Sequence, residues 1–180
     1  MPPQRLLIAA CVVLASCSTV SEQTSEEAPT EGSSGDRSHQ YTTYVNPRFG
    51  FRLSYPASLH ASPEPTNGAG RTFTSSDGDF SVSAQAHFLQ NGDDLDSLWN
   101  DARRDAGSSV NYSLKRPTFF VISGSDAGRE YYRKVFTRGG NWVRFDILYP
   151  SSKRSLYDPV VERIERDFVP FLPGDYDRAP

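Results

Sequence analysis

The sequence predicts an α+β domain: a mainly antiparallel β-sheet covered by helices. Three observations carry this. Seven or eight short stretches between residues 41 and 149 alternate apolar and polar side chains, the period of a strand with one buried face. Gly- and Asp-rich turns separate several of them at hairpin spacing. Only two stretches, 95–106 and 160–168, repeat their apolar residues at helical spacing.

In chain order, Tyr41 to Asn46 is a first strand. Asn46-Pro47-Arg48-Phe49-Gly50 is a turn, because Pro and Gly both interrupt regular structure there. Phe51, Leu53 and Tyr55 then share one strand face, and Pro56 stops the strand. Residues 57–70 are irregular and Pro-rich. Arg71 to Thr74 is a short strand, and Ser76-Asp77-Gly78-Asp79 closes a hairpin. Phe80, Val82, Ala84, Ala86 and Phe88 face inward on the clearest strand, and the small Ala84 and Ala86 imply a helix packed closely over them.

Asp94 or a neighbour is placed to cap a helix whose apolar stripe is Leu95, Leu98, Trp99, Ala102 and Ala106, with Gly107 as its stop. Arg103 and Arg104 fall in its last turn, where the helix dipole favours cations. Val110 to Lys115 and Phe119 to Ser123 are strands, followed by a turn over Gly124 to Gly128. Arg129 to Thr137 and Trp142 to Tyr149 form a long hairpin through Arg138-Gly139-Gly140-Asn141. Its second strand directs Val143, Phe145, Ile147 and Tyr149 one way and Trp142, Arg144, Asp146 and Leu148 the other. Asp158 followed by Pro159 is read as an N-cap with proline at the first helical position, starting a helix with Val160, Val161, Ile164 and Phe168 on one side. Leu156 and Tyr157 are expected to staple that start. The tail 173–180 is polar and expected to be frayed.

The N-terminus is organised differently. Arg5 precedes the apolar run Leu6 to Leu14, which at nine residues is far short of the roughly 20 needed to cross a bilayer. Leu14-Ala15-Ser16-Cys17 places an apolar residue and two small residues before a cysteine, and resembles the lipobox of bacterial lipoproteins. That resemblance implies a signal peptide over 1–16, acylation of Cys17 and attachment to a lipid bilayer. Ser18, rather than Asp, implies no inner-membrane retention signal, so the outer membrane is favoured over the inner. One acyl chain contributes about 0.8 kcal/mol per buried CH₂ and binds only marginally; the two or three chains of such lipoproteins make a lasting anchor.

Residues 17–40 hold Glu22, Glu26, Glu27, Glu31 and Asp36 against Arg37 alone. With Val20 as their one large apolar side chain, they are expected to form a disordered acidic tether, spanning roughly 25–30 Å. Of 19 Lys and Arg and 22 Asp and Glu in the chain, setting aside Arg5, Arg37 and those five acids leaves 17 of each sign from residue 41 onward. A neutral domain lacks the positive field expected of a nucleic-acid partner. The two cysteines are Cys11, inside the signal, and Cys17. The domain therefore has no thiol nucleophile, no disulfide and no cysteine ligand for zinc.

The segment Asn46-Pro47-Arg48-Phe49-Gly50-Phe51-Arg52-Leu53-Ser54-Tyr55-Pro56, with Tyr149-Pro150 and the later Tyr157 to Ile164 and Phe168, resembles the opening and closing elements of Mog/PsbP-like proteins. The resemblance covers roughly 41–171, giving a domain over 41–172. It implies a sheet closed by a terminal helix and a non-catalytic binding or assembly role; taken with the lipobox and the tether, the expected partner is another envelope protein. Known members include the extrinsic photosystem II protein and a nuclear GTPase-binding protein, and no motif here carries over their binding residues.

The search for chemistry yields little. His60 and His87 are the histidines of the domain, and neither stands at metal-ligand spacing. No G-x-S-x-G string is present. Asp93, Asp94 and Asp96 suit a helix N-terminus better than a Ca²⁺ loop, which also requires a glycine and a distal glutamate. No cofactor is implied. The alternative from another class is an envelope hydrolase that uses His60 or His87 with a loop serine or acid. The candidate ligand or partner surface is Arg129, Arg133, Trp142 and Arg144 on the long hairpin. Glu130 and Asp146 stand near enough in sequence to neutralise its cations. Trp142 reads either as an exposed binding aromatic or as part of a second core.

Overall fold

The computed structural model describes residues 40–173. The signal segment 1–16, Cys17, the acidic segment up to residue 39 and the tail beyond residue 173 lie outside the described residues. Among those described are nine strands: β1 (Tyr41–Val45), β2 (Arg52–Pro56), β3 (His60–Ala61), β4 (Gly70–Thr74), β5 (Ser81–Phe88), β6 (Val110–Arg116), β7 (Phe119–Asp126), β8 (Arg129–Arg138) and β9 (Asn141–Pro150). Helix α1 (Leu95–Ala106) connects β5 to β6, and α2 (Arg154–Asp167) follows β9. Seven strands form one antiparallel sheet in the order β3-β4-β5-β9-β8-β7-β6, while β1 and β2 form a separate hairpin. The expected α+β class is the one observed.

Each sheet face has its own core. On one face the β1–β2 hairpin and α2 pack Phe51, Leu53, Ile164 and Phe168 against Val82, Ala84, Val143 and Phe145. The chain just past α2 adds to the hairpin: Arg52 and Val169 exchange backbone hydrogen bonds of 2.8 and 3.0 Å. The small residues Ala84 and Ala86 therefore face a layer built by the hairpin as well as by a helix. On the other face α1 sets Leu95 and Ala102 against Phe120, Ile122 and Val135, with Trp99 edge-on to Phe120 at 5.3 Å between ring centroids.

Asn46 holds the first hairpin to its surroundings. It is fully buried, and its Oδ1 accepts from the backbone N–H of Arg48 (3.1 Å) and Phe49 (2.8 Å). Its Nδ2 donates to the Tyr44 hydroxyl and to the Gly68 carbonyl, both at 3.0 Å. The turn around Pro47 is thus fixed by one side chain with every polar atom used.

Helix α1 starts as expected. The Asp94 carboxylate accepts from Ser97 N (2.7 Å), Ser97 Oγ accepts from Asp94 N (2.9 Å), and Gly107 ends the helix with φ 56°. The β8–β9 turn uses Gly139 and Gly140 at φ 55° and 77°, the left-handed pair that a two-residue hairpin requires.

Four expectations need correction. The stretch 57–70 contains β3, whose two residues pair with Phe73 and Thr74; two residues are too few to show a period. Gly124 to Asp126 continue β7, and the turn is confined to Ala127 and Gly128. Gly124 is there because a Cβ would lie 1.8 Å from the Ser109 carbonyl oxygen, so backbone proximity rather than turn geometry selects glycine. Helix α2 begins at Arg154 after a 3₁₀ turn over Ser151–Lys153, so Asp158 is no cap and Pro159 lies within the helix. The added turn is held to the sheet by the Tyr149 hydroxyl donating to Asp158 (2.7 Å) and by Tyr157 against Phe80 (4.8 Å). Finally, Leu156 is 59% exposed and staples nothing; Tyr157 alone does so.

Candidate functional site

The two layers do not cover the sheet evenly. Helix α1 packs over β7 and β8, which leaves the same face of β5 and β9 without a helix above it. Strand alternation directs Ser81, Ser83, Gln85 and His87 of β5 to that open area, directly across from Leu148, Asp146, Arg144 and Trp142 of β9. All eight are only partly buried or exposed. Where β9 runs beside α1, two neighbouring clefts of about 190 and 350 Å³ share Ala102, Asp105 and Arg133 as lining.

Three of the four candidate surface residues meet here. Arg133 and Arg144 both pair with Asp146, Arg144 through Nε at 3.0 Å. Arg144 Nη2 also donates to Gln85 Oε1 (3.3 Å). Its guanidinium lies 5.3 Å from the Trp142 ring centroid, and His87 lies 4.9 Å from the same ring. Trp142 thus sits at the boundary between α1 and the open sheet: half-buried, near Leu98, and stacked within a row of cationic and aromatic groups. Burial, then the positive charges of Arg144 and Arg48, holds the His87 imidazole below the ordinary histidine pKa.

The fourth residue stands apart. Arg129 is at the opposite end of β8, across from Pro150, and donates to the Asp79 carbonyl (3.0 Å). Its neighbour Glu130 turns to the other face and is buried there, so it pairs with neither Arg129 nor the cleft cations. Asp146 alone performs the expected neutralisation. Lys134, next to Arg133 in β8, points to the α2 face, pairs with Glu165 (2.9 Å) and lies 5.0 Å from the Phe119 ring centroid.

On the α1 side, Asp101 and Asp105 belong to the cleft wall facing Arg133 and Arg144. The periodicity of α1 was legible in sequence, but which of its acids would face the hairpin was not. That depends on where the helix lands on the sheet.

The remaining candidates have ordinary roles. His60 Nε2 lies 3.1 Å from Ser76 Oγ, yet both residues are exposed, and among the described residues no carboxylate bonds the imidazole. Asp93 accepts from Gln90 N (3.0 Å), Asp94 caps α1 and Asp96 pairs with Lys115. Among the described residues no group of three or more His, Cys, Asp or Glu side chains is placed to hold a metal ion. One cluster gave no sequence signal: Lys153 pairs with both Asp77 and Asp79, linking the β4–β5 turn to the start of α2. The Ser75 hydroxyl, the Asp79 N–H and Lys153 hold the Asp77 carboxyl down at a pKa of about 2.

An antiparallel sheet with a hairpin and terminal helix on one face and a crossing helix on the other is the PsbP-like α+β fold. The solution structure of cyanobacterial PsbP (CyanoP) from Synechocystis sp. PCC 6803 matches with a TM-score of 0.55 and 13% identity, covering 78% of this chain and 96% of that one. At that identity the likeness is one of fold. No protein-family model and no curated protein matches the chain.

Proposed function

We propose that this protein is a lipid-anchored envelope protein with a non-catalytic domain that binds another envelope protein through the cleft between α1 and β9. The carrying observation is the cleft itself, where acids of a helix wall face two arginines and a tryptophan on an open sheet. The PsbP-like fold supports a binding or assembly role over an enzymatic one. Acylated Cys17 of the Leu14-Ala15-Ser16-Cys17 string would attach the chain to the bilayer, with the outer membrane favoured.

Two experiments test the separate parts. Metabolic labelling with a fatty acid should mark the wild-type chain and leave Cys17→Ser unlabelled; a labelled Cys17→Ser protein rejects the anchor. Photocrosslinking in membranes from a probe at Asp101 should capture a discrete partner. That capture should fall at least about tenfold in Arg144→Glu, whose circular dichroism should match wild type. Capture that ignores Arg144 rejects the cleft as the binding site.

The hydrolase reading has one specific observation in its favour, the His60–Ser76 contact. A nucleophilic serine also needs a base held by a third group and donors for the developing oxyanion. His60 lies on a two-residue edge strand and accepts no such orientation from a carboxylate among the described residues.

A further inference from the structure

The two edges of the seven-stranded sheet differ. At one, β3 is two residues long and is followed closely by Pro63 and Pro65, which cannot donate to a further ladder. At the other, β6 runs for seven residues. Its pairing with β7 shifts between Val110 and Tyr112, leaving Tyr112 to Arg116 as the regular part. Within that part Ser113 and Lys115 are engaged with α1 of their own chain, accepting from Arg103 Nη1 (3.1 Å) and pairing with Asp96 respectively. Tyr112, Leu114 and Arg116 lie on the opposite face, beside Ser123, Val121 and Phe119 of β7. Tyr112 is 52% exposed, among the most exposed large apolar side chains described.

We propose that this edge pairs with a second copy of the chain, β6 against β6 in antiparallel register about a two-fold axis at Leu114. The side-chain pattern selects both the occupant and the register. About that axis Tyr112 faces the partner's Arg116, Ser113 faces the partner's Lys115, and Leu114 faces the partner's Leu114. Opposed side chains in antiparallel strands are close enough for aromatic–cation and aliphatic pairs to stabilise the pairing, and for like charges to oppose it. Moving the axis to Lys115 would set two ammonium groups face to face. Moving it to Ser113 would draw the irregular residue Asn111 into the ladder. The Leu114 register uses only the regular segment and opposes no like charges. It also continues the sheet without a break, an isologous interface of the commonest oligomer type.

The test uses the full chain with Cys11→Ser and Cys17→Ser, so that an introduced cysteine is the sole thiol. Opposed Cα atoms in an antiparallel pair are about 4.5–5.5 Å apart, within disulfide reach. Leu114→Cys should therefore form a covalent dimer under mild oxidation, whereas Ser113→Cys, displaced along the strand from its copy, should not. Sedimentation equilibrium of the cysteine-free chain should give a two-copy mass. Tyr112→Arg, which opposes the partner's Arg116, should weaken association by at least about tenfold, while Tyr112→Glu, which offers Arg116 a carboxylate, should retain it. Circular dichroism of both variants checks that the domain is folded. A monomer mass at all concentrations, equal crosslinking at 113 and 114, or association indifferent to the charge at 112 would each overturn the proposal.

Discussion

Asn46→Ala should be among the most damaging single substitutions outside the apolar core. The side chain is fully buried and makes four hydrogen bonds, to Arg48 N, Phe49 N, the Tyr44 hydroxyl and the Gly68 carbonyl. A net contribution of about 0.5–1.5 kcal/mol per bond gives roughly 2–6 kcal/mol, and stranded partners that stay buried push the value upward from the minimum. We expect about 4 kcal/mol, a large share of the 5–15 kcal/mol that usually separates folded from unfolded states. Urea denaturation followed by tryptophan fluorescence measures this as a fall in midpoint at unchanged slope. Asn67→Ala is the matched control, since the exposed Asn67 side chain caps only Ala69 N (3.0 Å) and should cost under about 1 kcal/mol. Asn46→Asp tests the reasoning from a second direction. It keeps the acceptor for Arg48 and Phe49, loses both donors and buries a charge, so its carboxyl pKa in the folded state should be raised. Stability linked to a raised pKa is present at low pH and lost as pH rises, so the deficit of Asn46→Asp against wild type should shrink toward pH 4. An Asn46→Ala cost below about 1 kcal/mol, equal to the exposed control, would refute the argument.

Three further outcomes follow from the same geometry. Asp146→Asn removes the shared partner of two arginines that are each more than one quarter exposed, so after discounting for solvent it should cost about 1–2 kcal/mol, less in high salt, by thermal melts; a stabilised variant would show that the triad is merely tolerated. The His87 NMR titration should have its midpoint below 6.5 and should move up in Arg144→Met. A lowered histidine pKa stabilises the fold above the unfolded-state value and loses that contribution as pH falls, so His87→Gln should flatten the decline in stability below about pH 6.5. Gly124→Ala should cost about 2–3 kcal/mol in urea melts, because its Cβ would meet the Ser109 carbonyl oxygen at 1.8 Å and the Tyr131 hydroxyl at 2.8 Å.

Much of this architecture was legible because periodicity and turn chemistry are local. The faces of β5 and β9, the Asp94 cap and the Gly139-Gly140 turn depend on neighbours within a few residues. What sequence reading missed depends on distant segments. Gly124 looks like a turn residue until Ser109 is placed over it. Asp158 looks like a cap until Tyr149 claims its carboxylate. Asn46 looks like any turn asparagine, because its partner Gly68 lies 22 residues away. The candidate surface divides in the same manner. Alternation put Trp142 and Arg144 on one face of β9, while Arg133 joins them through the β8–β9 register, which sets it across from Asp146. It could not show that Arg129 would be drawn to Asp79, or that α1 would stop short of β9 and leave a cleft.

That cleft has a charge arrangement that constrains what can bind there. Arg133 and Arg144 share one carboxylate, so the sheet side carries one cation in excess. Opposite, Asp101 pairs with Arg104 on its own helix, and among the described residues Asp105 pairs with nothing. No ion pair within 4 Å joins the two walls, although each carries charge that the other could use. A rigid gap between opposite charges is a poor arrangement for stability, since screening by water removes most of the attraction. It is a good arrangement for a partner that inserts a cation toward Asp105 and an anion toward Arg144, because the desolvated walls would then be paired on both sides. Such a partner should bind through a mixed-charge segment with an apolar residue directed at Ala102 and Trp142. Its association should slow with added salt through both walls, and Asp105→Asn and Arg144→Gln should each reduce that salt dependence. If only Arg144→Gln did so, the ligand would be a simple anion and the helix wall would take no part in binding.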